Sequence, residues 1–266
     1  MLLFFAAFSS ATLLAMERGT SDMLIFILAM AAVASGRFGF AGCISLAALL
    51  KMFPFFGLCA GIFNDRFRNL TLAALMLVGA YFLYHFADVE KISHVVSISA
   101  HMAYGTVSIK AFMREQGYAY LFVPFCIFLA IYLAAAILLA IKDAAYDATI
   151  ADAELRMFLA FAFIYIGTFL LGSNWNYRLI FLIPLIPLLC RLACDRKDAM
   201  PLVGLIYLNL ALHARVLGGW WGDRLGMAAE IGMAYSAIYF AVIGIKNCDI
   251  KFPFKKIMHA QRVSLA

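Results

Sequence analysis

The sequence contains little charge, few prolines and no extended polar stretch. Only 14% of its 266 residues are charged and 6 are proline, whereas 66% are hydrophobic. Soluble domains contain about 45–50% apolar and about 25% charged residues, and they have no interior large enough to bury a greater apolar share. This composition excludes a soluble enzyme, and it predicts an integral membrane protein.

Two further features are missing, a clustered basic surface and a metal-ligand motif. The net charge is +6, but the basic residues are scattered between apolar runs, so we expect no nucleic-acid partner. The 6 cysteines form no C-x-x-C pair, and the spacing of His85, His94 and His101 matches no ligand pattern. We therefore predict no metal site and no cofactor.

The sequence is rich in long apolar runs that a membrane would accept as helices. Residues 121–141 carry no charge over a length that crosses the hydrocarbon core, which takes about 20 residues. Within lipid the backbone must satisfy its own hydrogen bonds, so each run is predicted to be helical. Clear membrane helices are predicted at 70–86, 121–141, 155–172, 179–193, 201–220 and 228–246, with a further apolar run at 23–35.

The run 38–63 has two interpretations. It is one long helix interrupted by Lys51 and Pro54, or it is a pair of short helices that turn at LKMFP. The pair places Arg37 on the side of the basic tail, as the positive-inside rule prefers. We therefore predict an all-α, polytopic transmembrane bundle of nine or ten segments in residues 1–247, followed by a basic cytoplasmic tail at 248–266.

A long loop at 87–116 interrupts the series of apolar runs. Its segment SHVVSISAHMAYGTVSIKAFM is semi-apolar, and it is able to lie along the membrane interface as an amphipathic element. Loops of this length are usually functional. The loop is predicted to face the same side of the membrane as the polar breaks considered next.

Two short polar stretches interrupt the first apolar runs, and each has two interpretations. Glu17, Arg18 and Asp22 are able to hold a phosphate oxygen or a sugar hydroxyl, or Asp22 simply caps the helix that follows. Lys51 is the only charge between Arg37 and Asp65. It suits an anionic headgroup, or it reaches the interface from a short helix.

A third polar break lies between two strong apolar runs. It reads SNWNYR and combines the amides of Asn174 and Asn176 with Tyr177 and the guanidinium of Arg178. Such a set is suited to binding a sugar and a phosphate. The alternative is ordinary anchoring at the interface by Trp and Tyr beside a flanking arginine.

Four of these segments together resemble the bacterial membrane glycosyltransferases of family 87, the DUF2029 type of the GT-C class. They are ERGTSD, GCISLAALLKMFPFFG with NDRFRN after it, AYGTVS in the long loop, and SNWNYRLIFLIPLIPLL. The first motif of the family reads close to E-R-G-N-x-D, and Thr20 stands here in place of the asparagine. The segment around Asn174, Tyr177 and Arg178 is the most specific of the four.

The resemblance implies a GT-C-like bundle in the bacterial inner membrane. It implies transfer of a hexose from a polyprenyl-phosphate donor to a glycan or glycolipid acceptor on the extracytoplasmic side. Arg18, Lys51 and Arg178 are then the expected contacts of the donor phosphate. The full set of predicted substrate-binding residues is Glu17, Arg18, Asp22, Lys51, Asn174, Asn176, Tyr177 and Arg178.

The catalytic base of the GT-C class has no counterpart here. That aspartate lies in the first extracytoplasmic loop, ahead of the motifs that open this chain, and neither Asp22 nor Asp88 aligns with it. We therefore expect the C-terminal portion of a longer enzyme, or a degenerate member, with the catalytic residue unknown. The alternatives are a carrier or flippase for a lipid-linked sugar or anion, and a non-catalytic membrane subunit.

Overall fold

The structure, a computed structural model, describes residues 1–17, 21–86, 103–143, 150–171, 174–195, 199–214 and 218–247. The predicted tail at 248–266 lies outside these ranges. Twelve α-helices are present in the described residues, namely α1 Leu2–Ala7, α2 Ser10–Glu17, α3 Ser21–Ala34, α4 Arg37–Leu50, α5 Cys59–Ile62, α6 Asp65–Tyr84, α7 Thr106–Glu115, α8 Phe122–Lys142, α9 Asp152–Leu171, α10 Ile186–Asp195, α11 Met200–His213 and α12 Gly219–Asn247.

Short 3-10 helices and one small ladder complete the described architecture. The 3-10 helices are Phe53–Leu58, Ala119–Leu121 and Asn176–Leu185. Strand β1, Ala103–Tyr104, pairs antiparallel with β2, Asn174–Trp175, so that Tyr104 lies opposite Asn174. The ladder joins the end of the long loop to the segment that carries the third polar break.

The helices confirm a helical membrane protein, but they do not reproduce the predicted count of nine or ten segments. Among the described residues, four helices are long and apolar enough to cross a membrane: Asp65–Tyr84, Ala119–Lys142, Asp152–Leu171 and Trp221–Lys246. Five further apolar helices have at most 17 residues, including Ser21–Ala34, Arg37–Leu50 and Met200–His213. A helix of 14 residues is only about 21 Å long, well short of the hydrocarbon core.

The outer surface of the bundle is apolar, as lipid requires. In α6 and in α8, only 17% of the most apolar stretch of the helix is buried inside the protein. Large apolar side chains such as Leu77 and Leu83 on α6 and Ile131 on α8 are exposed. Exposed apolar surface on this scale marks contact with lipid.

The chain turns after Lys51, in agreement with the second interpretation of the run 38–63. Helix α4 ends at Leu50, and Lys51 adopts an extended conformation with φ −149° and ψ 128°. Pro54 then occupies an early position of a 3-10 helix, where its missing N–H costs no hydrogen bond. The returning segment is this 3-10 helix followed by the single turn of α5.

The predicted helix at 179–193 is two elements. A 3-10 helix runs through Asn176–Leu185 with Pro184 inside it, and α10 starts at Ile186. Two prolines, Pro184 and Pro187, remove backbone donors from the region where a regular helix would need them. Hydropathy alone is insensitive to this break.

The last two predicted helices have different bounds. The predicted helix at 201–220 ends at His213, and the next helix starts at Gly219, nine residues before the predicted residue 228 (228 − 219 = 9). Gly218 and Gly219 have φ values of 63° and 59°, a region that glycine enters without steric cost. They lie at the start of α12.

The bundle has two ends, which the contacts between helices define. Arg156 donates to the Val33 carbonyl at the end of α3 and lies over the ring of Phe67 near the start of α6. Gly244 near the end of α12 packs on Leu155. We call this the arginine end; it carries the basic residues Arg37, Arg66, Arg68, Lys142, Arg156 and Lys246 together with the acidic residues Asp65, Asp143, Asp152, Glu154 and Asp195.

The opposite end, here called the site end, holds the start of α3, the end of α4 and the end of α9. Thr106 at the start of α7 donates to the carbonyl of Leu170, which places α7 there too. Arg37 and Lys51 therefore lie at opposite ends of α4.

Close helix packing in the centre depends on glycine. A Cβ on Gly167 of α9 would overlap the ring of Phe56, and one on Gly57 would lie 3.0 Å from Ile164. Phe53 and Phe161 both pack against Phe181, with ring centroids 5.3 Å and 5.9 Å away. These contacts fix the returning segment and the 3-10 helix of Arg178 against α9.

Candidate functional site

Three of the predicted site residues meet at the site end. The Lys51 ammonium donates to Asp22 Oδ2 at 2.9 Å, and Arg178 Nε lies 3.6 Å from the same oxygen. The side chain of Asp22 is 0% exposed, whereas those of Lys51 and Arg178 are 28% and 18% exposed. We call these three residues the Asp22 cluster.

Each member reaches the cluster from a different element. Asp22 lies in the first turn of α3, and Lys51 follows the last residue of α4. Arg178 comes from the 3-10 helix after β2, and its guanidinium lies over the Phe53 ring, 4.8 Å from the centroid. A planar guanidinium suits this stacked position because it combines charge with an apolar face.

The cluster has one negative and two positive charges. In a bundle surrounded by lipid, an isolated buried carboxylate would be very costly, so Asp22 needs its cationic partners. The carboxylate offsets one of the two positive charges, and the cluster keeps a net charge of +1. A partly exposed site of this kind attracts an anion.

Two acceptor oxygens of the predicted site residues have no donor among the described residues. They are Asp22 Oδ1 and Asn176 Oδ1, and both are buried. Buried polar atoms normally have a hydrogen-bond partner. A ligand that donates hydroxyl groups, such as a sugar, is one chemistry that would satisfy them.

A second buried polar group lies beside the cluster. The hydroxyls of Tyr104 and Thr168 are 2.9 Å apart, and the Tyr165 hydroxyl donates to the backbone carbonyl of Glu230 at 2.8 Å. Burial raises the pKa of the Tyr104 hydroxyl, and the charges of Arg178, Glu230 and Asp22 also act on it. Tyr104 is therefore a neutral hydroxyl within reach of the cluster's electric field.

The remaining predicted residues are not placed in the cluster by the structure. Glu17 is exposed at the last residue of α2. The backbone of Asn174 pairs in β2 and that of Tyr177 lies in the 3-10 helix, while both side chains fall outside the described part. Arg18 also lies outside the described ranges.

Other candidates from the sequence have separate positions. Asp88, His94 and His101 lie outside the described residues, and His85 packs against the rings of Tyr81 and Tyr84 at the end of α6. Within the described ranges no group of three or more His, Cys, Asp or Glu side chains is placed to hold a metal ion.

Sequence reasoning missed the buried hydroxyls and Glu230. Glu230 carried a usable signal, since it is the one carboxylate between Asp223 and the end of the apolar run at 228–246. Intramembrane ionisable residues are functional candidates by default. Tyr104 and Thr168 carried no comparable signal, because their pairing depends on a contact between positions far apart in the chain.

Comparison of the chain with family models, curated proteins and solved structures finds no significant match.

Proposed function

We propose that this protein is a membrane glycosyltransferase. It transfers a hexose from a polyprenyl-phosphate donor to a glycan or glycolipid acceptor at the extracytoplasmic face of the bacterial inner membrane. The fold is then a GT-C-like bundle in which the short apolar helices, together with the four long ones, make up the nine or ten expected segments. The motif resemblance to glycosyltransferase family 87 supplies the substrate class.

The observation that carries the proposal is the meeting of two cations on one buried carboxylate. Lys51 and Arg178 are 127 positions apart (178 − 51 = 127), yet both contact Asp22 Oδ2. Proteins commonly bind phosphate with arginine, which donates two parallel hydrogen bonds, and with lysine, which provides a single compact positive charge. They lie at the end opposite the arginine end, where a lipid phosphate on the outer side would be found.

The two cations have a defined role in the reaction. The acceptor oxygen forms a bond to the anomeric carbon, the bond from that carbon to the phosphate oxygen breaks, and the acceptor proton passes to a base. Negative charge grows on the leaving phosphate, and Lys51 and Arg178 stabilise it. The proposed contacts of the sugar or acceptor hydroxyls are Asn174, Asn176, Tyr177 and Glu17.

Asp22 is better suited to holding the cations than to accepting the proton. Its Oδ2 already accepts a hydrogen bond from Lys51 and lies 3.6 Å from Arg178 Nε, so this oxygen is occupied by the two cations. It keeps two like charges close enough to act on one phosphate. The catalytic base is therefore assigned to a residue other than Asp22.

A carrier for a lipid-linked sugar is the second candidate, and Glu230 is the observation that favours it. Carriers place ionisable groups at mid-membrane depth. Glu230 is fully buried about three turns inside α12, counted from Gly219. The Asp22 cluster, in contrast, lies at helix ends, which favours the transferase.

The test is donor binding and turnover by the full chain in lipid nanodiscs. We expect Arg178→Ala to weaken binding of a polyprenyl-phosphate hexose by about 10- to 100-fold, since hydrogen bonds to charged groups contribute about 1.5–3 kcal/mol. The matched control is Arg191→Ala. Arg191 also pairs with a carboxylate, Glu154 at 2.8 Å, but it lies at the arginine end.

Equal donor affinity in the Arg178 and Arg191 variants would remove the phosphate role. Turnover separates the two candidates. A transferase releases free polyprenyl phosphate and moves the labelled hexose to the acceptor. A carrier exposes the intact donor on the other leaflet, and that result would replace the transferase with the carrier.

A further inference from the structure

Helix α7 presents two different faces. Ser108, Ile109 and Phe112 are buried and pack toward the core, and Ser108 donates to the Tyr104 carbonyl at 3.2 Å. Lys110 and Arg114 are exposed. Because residues four apart lie above one another on a helix, these two cations share one side, and that side is opposite the buried residues.

The acidic residue of α7 lies on a different side of the helix. Glu115 follows Arg114 directly, and consecutive residues of a helix do not face each other. Lys110 and Arg114 thus form a basic pair, the only such pair four residues apart in the described part of 103–143. A basic pair on an exposed face attracts a phosphate group.

The basic pair lies where the membrane surface begins. After α7 the chain passes through Tyr118 and Tyr120, of which Tyr120 is 72% exposed, and then enters α8. Exposed tyrosines at the end of a spanning helix are typical of the interface between lipid tails and water. The Lys110 ammonium lies 5.2 Å from the centroid of Phe122, in the first turn of α8, so it is directed toward the lipid-facing helix.

We propose that Lys110 and Arg114 bind the phosphate of an anionic phospholipid of the surrounding bilayer. The ligand class is a glycerophospholipid with a net negative headgroup, such as phosphatidylglycerol. The lipid phosphate lies against the basic pair, and its chains run along the exposed apolar side of α8. The basic pair lies at the end of a spanning helix, which is also the level of the lipid phosphates in a bilayer.

The lipid site is separate from the Asp22 cluster and does not depend on sugar transfer. The buried face of α7 lies between the basic pair and the rest of the site end. Thr106 anchors α7 to α9 through the Leu170 carbonyl at 2.9 Å. A bound lipid would therefore hold the start of α7, and with it β1, against the bundle.

The experiment measures phospholipid binding to the full chain purified in a neutral detergent. The probe is phosphatidylglycerol, titrated and counted as bound lipid by native mass spectrometry, with phosphatidylcholine as the neutral comparison. The test variant is Lys110→Gln with Arg114→Gln. The control variant is Arg37→Gln with Arg66→Gln, which removes the same charge from exposed residues at the arginine end.

We expect the test variant to bind the tightest phosphatidylglycerol about 25-fold more weakly. A basic side chain near an anionic surface contributes about 1 kcal/mol, or about fivefold in affinity, and two are lost. The control variant keeps that tightest site, and phosphatidylcholine binding is the same in all proteins. A conservative Lys110→Arg variant of the wild type keeps its binding, which separates loss of charge from loss of fold.

Three results would overturn the lipid site. They are wild-type affinity for phosphatidylglycerol in the test variant, an equal loss of affinity in the control variant, and competition by free glycerol phosphate that is as strong as competition by the lipid. Arg178→Ala is expected to leave phosphatidylglycerol binding unchanged. Failure of the lipid site and failure of the proposed transferase are therefore distinguishable.

Discussion

Replacing Asp22 with Asn is the sharpest perturbation of the candidate site. The amide has the shape of the carboxylate but no charge, so it leaves Lys51 and Arg178 close together without their shared anion. The helix ends that carry them, at α3, α4 and the 3-10 helix of Arg178, are held to one another partly by this contact. We expect the folded state to lose stability and the two cations to separate.

The magnitude follows from burial. Removing one partner of a fully buried ion pair costs about 3–5 kcal/mol, because the remaining charge is stranded. Asp22 is fully buried, but Lys51 and Arg178 keep partial contact with the surroundings, which relieves part of that cost. We therefore expect a loss of about 2–3 kcal/mol, discounted from the buried value.

The assay is reversible unfolding in mixed micelles, with Glu17→Gln as the matched control. Glu17 is an exposed carboxylate five residues before Asp22 (22 − 17 = 5), and its amide variant should change stability by no more than about 0.5 kcal/mol. The double variant Asp22→Asn with Lys51→Met should lose less than the sum of the single variants, since paired groups couple by about 0.5–3 kcal/mol.

Equal stability of the Asp22 and Glu17 variants would refute this reasoning. Additive losses in the double variant would also contradict it, because additivity means that Asp22 and Lys51 do not interact. Either result would show that the cluster is not held by charge.

Further perturbations test the packing, the buried hydroxyl and the membrane assignment. Gly167→Ala should destabilise the protein by about 1–3 kcal/mol through overlap with Phe56, whereas Gly42→Ala, with open space around it, should gain up to about 1 kcal/mol; unfolding midpoints compare them. Tyr104→Phe should cost about 1 kcal/mol by losing the Thr168 contact. Burial raises the pKa of Tyr104 above its ordinary value, so the folded chain holds this proton more tightly than the unfolded one. The contribution of Tyr104 to stability is complete below about pH 10 and falls as the pH rises further, so the Phe variant should show a smaller fall than the wild type. Leu77→Asp on the exposed side of α6 should reduce membrane insertion, at a cost of about 2.5–3.5 kcal/mol, while Leu77→Ala should insert normally.

The sequence was sufficient to predict the helical class and the longest spans. The charge-free run at 121–141 lies within the observed span Ala119–Lys142, because length and hydropathy alone determine such a helix. The turn after Lys51 could also be anticipated, since Pro54 restricts the residue before it. The bounds of the 3-10 helix Asn176–Leu185 could not be predicted, because hydropathy does not distinguish a 3-10 helix from an α-helix.

The candidate site was predictable in its residues but not in its contacts. The polar breaks identified Asp22, Lys51 and Arg178 as candidates, yet the capping and interfacial alternatives were equally compatible with their spacing. Their meeting depends on how α3, α4 and the 3-10 helix pack, which is a long-range property. The same is true of Tyr104, whose partner Thr168 is 64 residues away along the chain.

Photo-crosslinking to a labelled polyprenyl phosphate tests the central claim most directly. A photoreactive residue is introduced at Met52, beside Lys51, and separately at Phe38, beside Arg37; both side chains are exposed, at opposite ends of α4. If the lipid phosphate binds at the Asp22 cluster, the label attaches at Met52 and an added Arg178→Ala change removes it. Labelling at Phe38 instead, or labelling at Met52 that does not depend on Arg178, would contradict the account.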